Sequence, residues 1–462
     1  MIKKNLKNLF SNIALTKRNS LAAVSLVIAG SAYFFLPASC PQAARRMAFI
    51  FVIAAFFWAF EIVPLHATSF FVILLEILLL TKRGGTDLDY QVFLIPFSNP
   101  IIFLFLGGFT LAAALHKYQL DRELAERLLS IFGKNPFWVM LGFMMTTAFF
   151  AFWMSATATT AMMLILIAPL LSQTEADDPF RKALVLSIPF GARIGGLCTP
   201  IGTPPNAIAV GILQEQGIHL SFLSWMAMGV PLAFIILVVS SLVLYGLFRP
   251  HQEEMSFVFP KEEPVEAKGK IVFAIGLLTV GLWLTSGLHK IPEAVVSLLA
   301  VALFFGLNLL DRHDLKRIDW DILILMWGGL ALGEGMELSG LTTWIVGSPL
   351  FAQSGIYLLA ALCLLAMGIS TFMSNTAAAN LLIPLAVSIP GENPVFLAVA
   401  VALSCSFDVP LPISSPPNAM AFSTGVVSVK DMLKAGIPIT LVAITLIIFG
   451  SRFIMGIVFG LK

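Results

Sequence analysis

The sequence predicts an all-α integral membrane protein of about eleven transmembrane helices plus two re-entrant helical hairpins, arranged as two inverted repeats. Three observations carry that expectation. Of 462 residues, 58% are hydrophobic and only 12% are charged, about half the share usual in a soluble domain. So few charges cannot cover a water-exposed surface, so most of the surface must face lipid. Long apolar runs recur along the whole chain, and three short motifs occur twice in the same order.

The elements follow in chain order. Lys3, Lys4, Lys7, Lys17 and Arg18 precede an apolar run at 21–36. With more spans directly behind it, this run reads as a retained first helix rather than a cleaved leader. Spans are expected at 20–37, 47–64, 66–80, 91–115, 183–216 (interrupted), 221–248, 270–287, 293–310, 320–338, 395–428 (interrupted) and 434–460. The segments 136–172 and 354–390 each contain two apolar arms around a small polar triplet. Each arm falls short of the ~20 residues a span needs. A polar tip at membrane depth is tolerated only where it lines a protein cavity. Both segments therefore read as re-entrant hairpins.

The expected organisation is an N-terminal cytoplasmic segment and first transmembrane helix (1–46), a first repeat (47–249), a cytoplasmic linker (250–269) and a second repeat (270–462). With the N-terminus inside, the cytoplasmic segments hold 20 Lys and Arg against six outside. That excess predicts a cytoplasmic N-terminus and an outer C-terminus in a bacterial-type inner membrane.

The duplicated features are a Gly-Gly (107–108 and 328–329), a hairpin tip and a double proline. The tips are Ser155-Ala156-Thr157 and Ser374-Asn375-Thr376. The double prolines lie in Thr203-Pro204-Pro205-Asn206 and Ser415-Pro416-Pro417-Asn418. Three features in register imply duplication. An odd number of crossings between the copies makes the halves inverted, as in many secondary transporters.

A Pro-Pro inside an apolar segment stops a helix. The break frees carbonyls for a cation and exposes a half-helix N-terminus that attracts an anion. The tips place short hydroxyl and amide groups beside the breaks, which suits a site that binds and then releases. Simple interhelical hydrogen bonding is the alternative use of such groups. A tip that precedes a Pro-Pro-Asn in both halves favours binding.

Charges inside spans are functional candidates. Arg193 and Asp408 lie in corresponding arms ahead of their double prolines. They read either as a structural pair across the pseudo-symmetry axis or as coupling charges. Glu334 and Glu337 read as the outer end of a span, and Glu61 and Glu76 as dimer or scaffold contacts. Cys40, Cys198, Cys363 and Cys405 are far apart and read as packed free thiols. A net charge of +2 without a basic face argues against nucleic acid. No nucleophile–base pair or metal constellation points to an enzyme.

The paired tips and breaks resemble the divalent anion:sodium symporter (DASS) family of di- and tricarboxylate transporters, from about residue 47 onward. The resemblance implies a sodium-coupled carrier of small dicarboxylates such as succinate, malate or fumarate. It also implies a homodimer in membrane lipid, working by elevator-type alternating access. It implies sodium ligands at Ser155 and Gly202 in the first half, and at Ser370, Ser374, Asn375 and Ser414 in the second. It implies substrate contacts at Ala156, Thr157, Thr203, Pro204, Asn375, Thr376, Ser415 and Pro416. The chain departs from the family pattern at Ala156, where the triplet has Asn, and at Ala151, which lacks a hydroxyl. A sodium-independent anion exchanger, a sulfate or tricarboxylate carrier and a cation/proton antiporter of similar architecture are the alternatives.

Overall fold

The computed structural model describes residues 2–37, 39–82, 88–255, 266–348, 355–450, 453–454 and 456, with side chains from residue 18 onward. Residues 256–265 of the polar linker lie outside the described residues, as do Arg83, Arg452 and Lys462 of the charge count. The described residues are helical with no strands.

The chain begins with α1 (Ile2–Phe35), α2 (Gln42–Ala59) and α3 (Leu65–Leu80). The span expected at 91–115 is shorter than the sequence suggests. Pro96 and Pro100 interrupt it, residues 90–98 form two 3-10 turns, and α4 runs only over Pro100–Lys117. The Asn99 side chain caps α4 by accepting from the Ile101 N–H at 3.1 Å. The amphipathic helix α5 (Leu120–Ser130) forms within the charged segment 117–134.

Next come α6 (Pro136–Phe150), α7 (Ala156–Gln173), α8 (Phe180–Gly196), α9 (Pro204–Glu215) and α10 (Phe222–Leu247). The second half holds α11 (Ala267–Leu284), the short α12 (Ser286–His289), α13 (Glu293–Gly306), the short α14 (Arg312–Leu315), α15 (Trp320–Leu338) and α16 (Leu341–Val346). It ends with α17 (Ile356–Phe372), α18 (Asn375–Val387), α19 (Pro394–Cys405), α20 (Pro416–Ser423) and α21 (Val429–Thr445). Among the described residues, six helices are long and apolar enough to cross a membrane: α2, α4, α7, α10, α11 and α21 with its π-helical extension to Gly450. Six further apolar helices of 10–17 residues accompany them, including both arms of the second hairpin.

The duplicated Gly-Gly pairs do the same job in both halves, and they do it across the halves. A Cβ on Gly107 (α4) would sit 2.4 Å from Ser297 Cβ in α13, and one on Gly328 (α15) would sit 2.3 Å from Ser69 Cβ in α3. Each glycine lets its helix meet a helix of the other half at backbone distance, where small residues are needed.

Polar contacts sort the connections onto two faces. Lys117 pairs with Asp311 at 3.2 Å and Asp314 at 2.6 Å. Lys182 pairs with Asp431 at 3.0 Å. The Met255 N–H donates to Lys134 O at 2.8 Å, and the His251 N–H donates to Asp178 at 3.2 Å. At the other face, Asn99 donates to Glu215 at 3.2 Å and the Phe222 N–H donates to Glu293 at 3.2 Å. Helix α4 ends on the first face, where α15 begins, so these two copies run in opposite directions.

Candidate functional site

The first break spans 197–203, between α8 and α9. Its turn is tight: a Cβ on Gly202 would meet Gly196 O at 2.4 Å. Asn206, which follows the double proline, donates its Nδ2 to Gly196 O at 2.9 Å and Thr199 O at 2.8 Å. The break therefore does not leave all its carbonyls free, as the double proline alone suggests. Two of them accept from the Asn that the motif supplies. The Thr199 hydroxyl donates to Phe152 O at 2.7 Å and ties this break to the first tip.

At that tip, Ser155 caps α7 by accepting from the Ala158 N–H at 3.3 Å. Trp153 stacks on Phe222 and Trp283 with centroids 6.2 and 6.4 Å apart. Gly195 gives way to the hairpin backbone, since a Cβ there would lie 2.0 Å from Ala148 O.

The second break is longer, spanning 406–415 between α19 and α20. The Ser414 hydroxyl donates to Leu411 O at 2.9 Å and accepts from Asn418 Nδ2 at 2.9 Å. The Val409 N–H donates to the Thr371 hydroxyl at 3.1 Å, tying the break to α17. Ser370 is buried in the same helix and donates to Met367 O at 3.3 Å. At the second tip the Ser374 side chain makes no capping bond. Asn375 Oδ1 is buried without a hydrogen-bond partner, an arrangement that carries a desolvation cost. Phe372 is 76% exposed and Ile413 78% exposed.

Both tips and both breaks open onto one cavity of about 930 Å³. It gathers Ser155, Ala156 and Thr157; Gly202, Thr203 and Pro204; Ser374, Asn375 and Thr376; and Ser414, Ser415 and Pro416. Of the residues expected at the site, Ser370 lies beneath the second tip and Asp408 behind the wall, both with no exposed surface. Four helices begin at this cavity, at Ala156, Pro204, Asn375 and Pro416. The positive ends of four helix dipoles thus converge on one space, an environment for an anion. First-turn amides come from α7 and α18, while the Pro-Pro starts of α9 and α20 supply none at their first two positions.

Arg193 also lines the cavity. Its Nη2 lies 2.6 Å from Asp408 Oδ1 and donates to the Ser415 hydroxyl at 3.3 Å, while Nη1 donates to the Asp408 main-chain carbonyl at 2.5 Å. The guanidinium lies 5.8 Å from the centroid of the Phe407 ring. The pairing expected across the two halves is therefore present. A second link across the halves joins the Thr203 and Ser406 hydroxyls at 3.0 Å.

Some members of this cavity are not evident in the sequence. Ser406 lies two residues before Asp408, and only that proximity hints at it. Glu61, His66 and Asp321 also line the cavity. Glu61 is thus part of the cavity wall. Glu76 is fully buried, with Oε1 against Gly335 of α15, so its surroundings lie inside one protomer. Among the described residues no cluster of His, Cys, Asp and Glu could hold a metal ion. The cavity offers hydroxyl, amide and carbonyl oxygens instead, the kind that unwound transporter helices offer to sodium.

Comparison with known proteins agrees in kind. The model of a family described as the sodium:sulfate symporter transmembrane region matches residues 16–459. An uncharacterized transporter of Haemophilus influenzae is 32% identical over 451 residues, covering 91% of this chain and 93% of that protein. The sodium-dependent dicarboxylate transporter SdcS of Staphylococcus aureus (strain USA300) is 30% identical over 475 residues, covering 93% and 89%. The crystal structure of the Alcanivorax borkumensis YdaH transporter matches with a TM-score of 0.60, over 86% of this chain and 99% of that one. At 14% identity, that likeness concerns the fold.

Proposed function

The chain belongs to the divalent anion:sodium symporter family as an integral membrane transporter, and from that premise we propose that it carries small dicarboxylates coupled to sodium. The observation behind this reading is the convergence of four helix N-termini on one cavity of about 930 Å³, a size within the ~300–1,000 Å³ typical of small-molecule sites. Two tip-and-break pairs, one from each half, suit an anion with a carboxylate at each end. The names of the Staphylococcus relatives point to the same substrate class.

Sodium fits the second half. Asn375 Oδ1 is a buried acceptor without a partner, beside the Ser374 and Ser414 hydroxyls of the same cavity. The Asn and Thr of that tip, with Ser415 and Pro416, would face the carboxylate. In the first half, Ser155 and Gly202 would hold the cation, and Ala156, Thr157, Thr203 and Pro204 the anion. The opposed directions of α4 and α15 support inverted repeats. The gathering of the basic segments on one face supports a cytoplasmic N-terminus and an outer C-terminus in an inner membrane. We place the two hairpins in the membrane as re-entrant elements of a mobile body, in a homodimer that works by an elevator movement.

A second reading is sodium-independent anion exchange. It draws on Ala156 and Ala151, which offer no side-chain oxygen, and on the two first-break carbonyls already engaged by Asn206. Uptake of labelled succinate, sulfate and citrate into proteoliposomes, with and without a sodium gradient, separates these readings. Sodium-driven accumulation of succinate is expected. Counterflow of succinate in sodium-free buffer would favour exchange, and preferential accumulation of sulfate or citrate would change the substrate. Sodium–proton exchange without any organic anion would overturn the assignment.

A further inference from the structure

We propose that Arg193 is the anchor for one carboxylate of the transported anion, and that Asp408 holds its guanidinium in place while the site is free of anion. The proposal rests on reading the cavity as the anion site.

Among the described residues, Arg193 is the one Arg or Lys in the cavity wall. Its Nη2 is shared between Asp408 Oδ1 at 2.6 Å and the Ser415 hydroxyl at 3.3 Å. Ser415 stands at the start of α20, and its side chain caps nothing there. The guanidinium is therefore at the edge of the space where a helix N-terminus would receive an anion.

Its pairing with Asp408 is incomplete. Arginine holds a carboxylate best with two parallel N–H bonds. Here one arm meets the Asp408 carboxylate and the other goes to its main-chain carbonyl. Neither carboxylate oxygen accepts a well-aligned hydrogen bond. An incoming carboxylate can offer the fork that Asp408 does not. It also finds a donor that Ala156, on the other side of the cavity, cannot provide.

The exchange of partners has a consequence for coupling. Asp408 is fully buried, and a buried carboxylate stripped of its cation is costly. When the anion takes over Arg193, a monovalent cation must take over Asp408, either a sodium ion or a proton. Anion and cation then arrive together. The other titratable groups in the cavity wall are Glu61 and His66, around the α2–α3 turn, and Asp321 at the start of α15.

The test uses purified full-length protein and compares the binding of succinate with that of succinamate, which carries an amide at one end. Loss of a charge-assisted contact should lower the preference of Arg193→Gln for succinate by about tenfold or more, with succinamate binding nearly unchanged. Arg193→Lys, which retains the charge without the fork, should recover part of that preference. Asp408→Asn should bind succinate more tightly than wild type and depend less on sodium or on pH. Whichever dependence weakens identifies the cation. An unchanged preference in Arg193→Gln would overturn the proposal. If Arg193→Gln does not fold, weaker succinate binding by folded Asp408→Asn would overturn it instead. Wild-type protein that takes up no dicarboxylate would defeat the functional reading itself, a different outcome from either.

Discussion

The two tip-and-break pairs are written in nearly the same residues but held in different ways. In the first half, Trp153 is stacked, Thr199 ties break to tip, and Asn206 occupies two break carbonyls. In the second half, the break is longer, Phe372 and Ile413 stand exposed, and Asn375 Oδ1 has no partner. One pattern has produced a half tied together by stacking and by Asn206 Nδ2, with Asn206 Oδ1 buried without a partner away from the cavity, and a half whose unpartnered acceptor, Asn375 Oδ1, belongs to a residue of the cavity wall. Sequence similarity between copies thus conceals a difference in which polar groups are already in use. That difference bears on which half takes up a ligand.

The sharpest way to break the comparison is at Asn375. Asn375→Ala should lower uptake by about a hundredfold or more while the protein stays folded, since hydrogen bonds to charged ligands are strong. Near-normal transport by this variant would remove the second tip from the site. Next in size is the contrast between Asn206→Ala and Asn418→Ala. The first strands Gly196 O and takes one of two donors from Thr199 O, which keeps the Gly202 N–H, for about 1–3 kcal/mol of lost stability, and the second frees one hydroxyl, for about 1 kcal/mol. Thermal unfolding in detergent measures both, and equal losses would show that the first half is no more tightly tied than the second.

Trp153→Ala should cost about 3 kcal/mol by removing a large packed ring. Phe372→Ala, at an exposed position, should stay within ~0.5 kcal/mol. A destabilising Phe372→Ala would mean that this ring is covered in the membrane-embedded protein. The smallest expected effect is that of Ala156→Asn, which returns an amide to the first tip. A steeper sodium dependence of uptake and tighter succinate binding are expected. Weaker binding with an unchanged Hill coefficient would show that the first half has closed around alanine.

Much of this was readable from local chemistry. A double proline stops a helix wherever it stands, so both breaks were evident, and their positions relative to the tips followed from the repeat. Hydrophobicity alone misplaces the start of α4, because it ignores what Pro96 and Pro100 do to a helix that begins near residue 91. The occupation of Gly196 O and Thr199 O by Asn206 was not readable, since it depends on how tightly the chain folds back at Gly202. The surroundings of Glu61 and Glu76 were not readable for a similar reason. A carboxylate in an apolar span announces that something is special, but only the packing of α2, α3 and α15 shows whether it meets a cavity or a neighbouring glycine.

The glycine contacts between the halves also set a timetable for synthesis. Ser69 on α3 meets Gly328 on α15, and Gly107 on α4 meets Ser297 on α13. At ~5–20 residues per second, α3 waits some 10–50 s after its own synthesis before its partner leaves the ribosome. During that interval its Ser69 face must be covered by lipid or by the insertion machinery. A chain arrested before α15 would be a half-built wall, recognisable to quality-control proteases by the small-residue groove it leaves open. Blocking that contact with Gly328→Ala, whose Cβ would lie 2.3 Å from Ser69 Cβ, would therefore be felt in how much protein survives assembly, before any effect on the finished transporter.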